Sequence, residues 1–304
     1  MNSRQVKRQR WFDKGAEALN RATNGRFEGL YLCPLCCDLD NPDCLFKKED
    51  LLSVSPLLTF EDVPPRSSDL GGEALLLTCK KCNDWAGHEL DHHLEKLANL
   101  KSFTQGELRK DRPVKVSANG IEANVSLKPK DDKIIFDVQK NKNDPKKLPE
   151  FEKAFTGLKK NDRFKVNFIR DSFSTQRAVI NLLRAAYLAA FSVFGYRYIL
   201  GEALGIVRSQ IRNPDEKIIP VFRSTNEAKD PRKKLIAFIN EPPLHSGLMV
   251  QLGRDTFHLP FNPDDTTFYS HLEDTIKEHP SITMKATVLD WPTQPEYRRD
   301  FNNI

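Results

Sequence analysis

Six cysteines lie between positions 33 and 82, and none occurs elsewhere in the 304-residue chain. Four of them form two pairs, Cys33-Pro-Leu-Cys36 and Cys79-Lys-Lys-Cys82, separated by 42 residues. A two-residue spacer lets a tight turn aim both sulfurs at one point, and two such turns make a tetrahedral four-thiolate site for Zn²⁺. That site has no open coordination position, so its zinc would hold the fold and perform no chemistry. Cys37 and Cys44 are spare; either can replace a ligand, and the plainer reading leaves both as thiols beside the site. In a reducing compartment such clustering favours metal over disulfides.

Between the pairs runs LTFEDVPPRSSDLGG, residues 58–72, in which Glu61 and Asp62 precede Val63-Pro64-Pro65. After Cys82 come Asn83, Gly87, His88, Asp91, His92 and His93. Singly, each has an ordinary explanation. The acidic pair is a solvated turn, Asn83 a helix cap, and the histidines side chains on a charged, exposed helix. It is the order around two cysteine knuckles that gives them chemical interest.

That order resembles the HNH (His-Me finger) endonucleases in their zinc-ribbon, treble-clef form. The matching features are Cys33-x2-Cys36, Glu61-Asp62-Val63-Pro64, Gly71-Gly72, then Leu77-Thr78-Cys79-x2-Cys82-Asn83 and Gly87. They cover Leu32 to about Leu97, roughly a fifth of the chain. The resemblance implies a β-hairpin and a following helix that pinch one divalent cation against the scissile phosphate. Glu61 would be a metal ligand, Asn83 would ligate the metal or orient the base, and His92 would complete the shell. His88 lies four residues earlier on the same helical face. An oxygen-rich site of this kind suits Mg²⁺ or Mn²⁺ more than zinc.

The departure is at Asp62, where the family carries the histidine that deprotonates the attacking water. A carboxylate is a much weaker base than a neutral imidazole. Three readings stay open. Asp62 works as base or ligand in a variant site; His88, His92 or His93 supplies the base; or the site no longer cuts. The expected function is metal-dependent DNA cleavage, with bacterial defence as the context the resemblance implies. The alternative is a degenerate zinc-finger module that binds nucleic acid or a protein partner.

The elements expected to position these residues form an α+β protein in three parts. Residues 1–28 read as a basic helical arm: Trp11, Ala16, Leu19 and Ala22 share a face, and Arg4, Lys7, Arg8, Arg10, Lys14, Arg21 and Arg26 outnumber Asp13, Glu17 and Glu28. Residues 29–100 are the finger, ending in a helical stretch from Trp85 to Leu97. Residues 101–304 are a larger mixed domain, β-rich over 110–170, helical over 172–212 and β-rich over 217–290. Asn119-Gly120 predicts a hairpin turn, and strands are expected at Ile134–Val138, Phe164–Ile169, Ile218–Phe222, Leu235–Ile239, Leu248–Leu252 and Ala286–Leu289. Ser172 or Ser174 caps the long helix, and Gly195 or Gly201 breaks it. On that helix Arg177, Arg184, Arg197, Arg208 and Arg212, near Tyr187, Tyr196 and Tyr198, can face phosphate; the better reading makes the tyrosines core and the arginines surface.

Hydrophobic residues at 39% and charged residues at 29% allow a sizeable core under a solvated surface. The net charge of +5 argues only weakly for a nucleic-acid partner, and a second basic stretch, Lys140 to Lys165, reads first as a solvated face. The N-terminus has no apolar leader pattern, and the most apolar segment, 185–196, is shorter than a membrane span. The expectation is a cytoplasmic protein with DNA as partner, RNA or a protein as alternatives, and no membrane; oligomeric state is not legible.

Overall fold

In the computed structural model the basic N-terminal stretch forms α1 (Ser3–Ala22). The structure describes residues 3–51, 55–104, 111–130, 133–159, 162–168, 173–225, 230, 232–239, 247–279 and 285–297. Trp11 and Phe12 on α1 are each 2% exposed and Leu19 is fully buried. Trp11 meets Phe60 edge-on at 5.1 Å, and Phe12 stacks on Tyr31 at 5.8 Å. Next, β1 (Tyr31–Leu32) pairs antiparallel with β2 (Leu45–Phe46), and β3 (Leu58–Val63) with β4 (Glu73–Cys79). A bulge between Glu61 and Asp62 interrupts the second hairpin. The helical run that follows is α2 (Lys80–Ala86), a π-helical turn Gly87–Asp91, and α3 (His92–Thr104).

The middle of the chain builds a four-stranded antiparallel sheet with one helix. Its strands are β5 (Arg112–Ala118), β6 (Ile121–Lys130), β7 (Lys133–Val138) and, after α4 (Leu148–Thr156), β8 (Lys165–Phe168). The order is β7-β6-β5-β8. Alternate residues Val114, Val116, Ala123, Val125 and Leu127 pack with Phe151 of α4 into a separate core. The β5–β6 turn is the expected one: Asn119 and Gly120 have φ of 50° and 81°, as a two-residue hairpin of this twist requires.

The remainder contains α5 (Thr175–Phe194), α6 (Tyr196–Ile199), α7 (Glu202–Arg212), β9 (Arg223–Thr225), β10 (Lys234–Ile239), β11 (Gly247–Leu252), β12 (Asp255–Pro260), α8 (Phe268–Glu278) and β13 (Ala286–Leu289). The five strands form one antiparallel sheet in the order β13-β10-β11-β12-β9. The Ser174 hydroxyl caps α5 by accepting from Arg177 N at 3.2 Å. Gly195, at φ 73°, ends the helix. By length and composition α5 could cross a membrane, yet 89% of its apolar window is buried inside the protein. The alternative cap Ser172 and the last expected strand residue, Ile169, lie outside the described residues.

The three-part division is corrected by this packing. The chain forms two compact units, one of Met1–Leu94 with Ser174–Ile304 and one of Glu95–Phe173. Neither the N-terminal helix nor the finger stands alone, because α5 and α6 supply their core: Tyr187 and Tyr196, fully or nearly buried, donate to Pro34 O at 2.8 Å and Leu32 O at 2.5 Å. A finger of some seventy residues buries too little apolar surface by itself. The expected strand at Ile218–Phe222 is also corrected. Gln210 Oε1 accepts from Ile218 N at 2.9 Å and Ile219 N at 3.0 Å, so a side chain holds the start of the run, and only its end touches the sheet, Phe222 O accepting from His258 N of β12 at 2.9 Å. Helices α4 and α8 and strands β9 and β12 add to the sequence reading.

Candidate functional site

Cys33 and Cys36 follow β1, Cys79 ends β4, and Cys82 lies in the first turn of α2. Their four sulfurs lie within 4.8 Å of one another. Cys36 Sγ is 3.6 Å from Cys79 Sγ and 3.4 Å from Cys82 Sγ. A tetrahedral zinc with bonds of about 2.3 Å sets sulfur–sulfur edges of about 3.8 Å, so the cluster has nearly the right size. The backbone is arranged for thiolates: Cys79 N donates to Cys33 Sγ and Cys82 N to Cys79 Sγ, each at 3.3 Å. Within the cluster, hydrogen bonds from Cys33, Cys36 and Cys82 pull the Cys79 thiol strongly down, while burial pushes Cys33 up. Four sulfurs this close cannot all ionise without a cation to balance them. The set can therefore hold a metal ion such as zinc, in a structural role. Cys37 and Cys44 stay outside it; Cys37 Sγ points to Ile199 O, and burial raises its pKa to about 11.

At the bulge in β3 the acidic pair splits. Glu61, 3% exposed, has both carboxylate oxygens engaged. Arg184 Nη1 of α5 donates to Oε1 at 2.5 Å, and Thr78 Oγ1 of β4 donates to Oε2 at 3.0 Å. Arg184, 1% exposed, also reaches Asp91 Oδ1 through Nη2 at 3.0 Å and Asn181 Oδ1 through Nε at 3.0 Å. Asn181 Nδ2 completes the ring by donating to Asp91 Oδ1 at 2.8 Å. Burial pushes the Glu61 carboxyl up and the Arg184 guanidinium pulls it partly back, with the rise winning. Taking two charges out of water offsets much of their mutual attraction, so a buried pair of this kind is not by itself a large source of stability.

Asp62, on the far side of the bulge, is half-buried and pairs with Arg66 Nε at 2.8 Å. Burial raises its pKa, against the opposing pull of Arg66 and Arg4. Asn83 braces α2 to β3 by donating through Nδ2 to Thr59 Oγ1 at 2.8 Å and Phe60 O at 3.4 Å; the helix cap is Cys79, not Asn83. His88 is exposed and, among the described residues, makes no side-chain hydrogen bond or ion pair. A π-helical turn, Gly87–Asp91, carries His88 between α2 and α3. The His92 ring lies against His93 at 3.7 Å, and His93 Nδ1 accepts from Ser174 N at 3.0 Å, pinning the start of α5. Among the described residues the four cysteines are the one group of three or more potential ligands that converge.

Sequence reasoning placed Glu61 at the centre and missed Arg184, Asn181, Asp91 and Thr78 around it. A signal existed: Asn181 and Arg184, three residues apart in an otherwise apolar helix, cannot be buried without partners. The other helix arginines also serve structure. Arg177 bridges Glu89 and Asp215, Arg208 donates to Tyr187 Oη, and Arg212 donates to Leu35 O and Cys36 O, leaving Arg197 exposed.

Beside this network the first turns of α1 form a cationic surface. Arg4 and Arg8 lie over the Phe60 ring at 5.5 and 5.3 Å, and Lys7 over Trp11 at 4.5 Å. Among the described residues no carboxylate forms an ion pair with any of the three. Burial, and after it the neighbouring charge of Arg4, lowers the Arg8 pKa. In the Gly-Gly of the hairpin loop a side chain at Gly72 would overlap the Pro64 carbonyl, while Gly71 takes a φ of 64° that favours glycine. No family model, curated protein or solved structure matches the chain.

Proposed function

We propose that residues 29–100 form a treble-clef finger of HNH type that binds DNA and does not cut it, the place of a catalytic cation being taken by the Arg184 guanidinium. The order of knuckle, hairpin and helix, with Cys79 and Cys82 at the start of α2, supports the treble clef. The observation that carries the reading is Arg184, held between Glu61 and Asp91 with both carboxylates turned toward it. A guanidinium balances their charge, but it cannot bind and ionise a water as Mg²⁺ or Mn²⁺ does. Of the acidic pair Glu61 has both oxygens engaged in the interior, and Asp62 pairs with Arg66 at the surface. The DNA reading rests on Arg4, Lys7 and Arg8, three cations gathered over Phe60 and Trp11, with Asp62 the carboxylate that feels Arg4.

The test is a pair of assays on zinc-replete protein. Supercoiled plasmid is expected to stay intact in Mg²⁺ or Mn²⁺ with both wild type and Asp62→His, while duplex DNA is bound in a salt-dependent way that Arg4→Gln/Lys7→Gln/Arg8→Gln weakens. Metal-dependent nicking by wild type, lost in a folded Glu61→Gln variant, would overturn the non-cutting reading in favour of cleavage. Absence of any DNA binding at low salt would remove DNA as the partner.

A further inference from the structure

The molecule's positive charge is not where the finger is. Residues 95–173 hold 19 lysines and arginines against 12 aspartates and glutamates, a net +7, whereas the whole chain nets only +5. The remaining residues are therefore slightly acidic, and the excess resides in the smaller compact unit. Its densest part is the loop between β7 and α4, Lys140-Asn-Lys-Asn-Asp-Pro-Lys-Lys147. Lys140, Lys142, Lys146 and Lys147 are all exposed, and among the described residues none forms an ion pair.

A run of lysines on a mobile loop spreads apart to relieve its own repulsion, and so reads as a solvated face. This loop is held in place. Asn143 acts as a strand partner for Asn124 of β6: its Oδ1 accepts from Asn124 N at 2.6 Å and its Nδ2 donates to Asn124 O at 2.8 Å. The same amide nitrogen donates to Gln139 O at 2.8 Å, and Asn124 Nδ2 donates to Lys142 O at 2.6 Å. The one acid in the loop, Asp144, is turned onto the backbone, accepting from Lys146 N at 2.9 Å. The backbone that carries the four lysines is thus held in one conformation, so its ordering entropy is already lost, while the ammonium groups, within eight residues of one another, stay in solvent without a carboxylate partner. A regularly spaced polyanion would pair with them.

We infer that this loop is a preorganised grip for the sugar–phosphate backbone of a nucleic acid, and that it supplies most of the protein's electrostatic affinity. The inference rests on the nucleic-acid reading above and adds a second site to it. Lysines without a planar fork act as point charges, so the contact is sequence-independent.

The experiment is fluorescence anisotropy of a labelled duplex DNA 20-mer titrated with full-length protein over a range of NaCl concentrations. The quadruple variant Lys140→Gln/Lys142→Gln/Lys146→Gln/Lys147→Gln touches no core residue. Its slope of log affinity against log salt is expected to fall by roughly 3 to 4, about 0.9 for each phosphate that is no longer neutralised. Asn143→Ala keeps every charge and frees the loop; it should weaken binding several-fold with the slope retained. A quadruple variant with wild-type slope and affinity would overturn the proposal. If the α1 triple variant then loses binding, the finger reading stands and the loop grip falls; if the loop variant loses it and the triple variant does not, the reverse holds. Tight binding of wild type to anionic lipid vesicles, with none to DNA, would assign the loop to a membrane surface and overturn the nucleic-acid occupant.

Discussion

A carboxylate with both oxygens engaged inside a protein has different chemistry from one aimed at solvent, and Glu61 is of the first kind. Arg184→Met leaves Glu61 and Asp91 without their cation and is expected to destabilise the larger unit by about 3–5 kcal/mol, read as a shift in the urea midpoint. The double variant Glu61→Gln/Arg184→Met removes both charges and should recover much of that loss. A double variant no more stable than the single one would show that packing, not charge, is the source of the effect. Asp62→Asn offers the contrast. Its ion pair is at the surface, Arg66 being 77% exposed, so the change should stay under about 1 kcal/mol. At this scale the sequence singled out Glu61 and assigned it to a catalytic cation, whereas in the structure its carboxylate meets Arg184 and Thr78. The sequence could not show that a side chain 123 positions later would reach this carboxylate.

Among the elements, the C-terminal sheet carries a titratable group of its own. His258 of β12 is buried against Ser224 of β9, its Nε2 2.9 Å from the serine Oγ, and burial lowers its pKa to about 4. In the unfolded chain the imidazole titrates near 6.5. Between these values the unfolded state binds the extra proton, so stability is full above about pH 6.5 and is lost as pH falls toward 4. The loss attributable to this residue is expected to reach roughly 3 kcal/mol, and His258→Gln should flatten the profile over that window by the same amount. Denaturation curves at pH 4, 5, 6 and 7 for both proteins measure it; parallel profiles would assign the acid sensitivity elsewhere. Local signals made several elements legible. Asn119-Gly120, Ser174 and Gly195 act within a few residues of themselves, and each does what its chemistry dictates. The Ile218–Phe222 run was misread because its apolar residues resemble a strand, while the amides at its start are claimed by one glutamine on the preceding helix.

For the whole molecule, the two compact units predict separable behaviour. If the four thiolates hold a metal, a strong chelator would take away the cation that balances them and should unlatch the knuckles from α2. Hydrogen exchange at β3–β4 is then expected to accelerate and the larger unit's melting midpoint to fall, while the β5–β6 amides, in a core of their own, keep their protection. Uniform loss of protection in both units would show that they fold as one.

The sequence by itself determined the two cysteine turns, each encoded within four residues, whose four sulfurs the fold then brings within 4.8 Å of one another in a cluster that can hold a metal. It also determined the α+β class and the hairpin turn. Tertiary structure decided everything that depends on residues distant in the chain: the return of residues 174–304 onto the finger, the segregation of charge into an inserted unit, and the neutralisation of Glu61 by Arg184. The physical reason is the same in each case. A turn or cap is fixed by its own dihedrals and neighbouring hydrogen bonds, whereas a buried charge is defined by whatever the fold brings against it, and no local pattern specifies that partner.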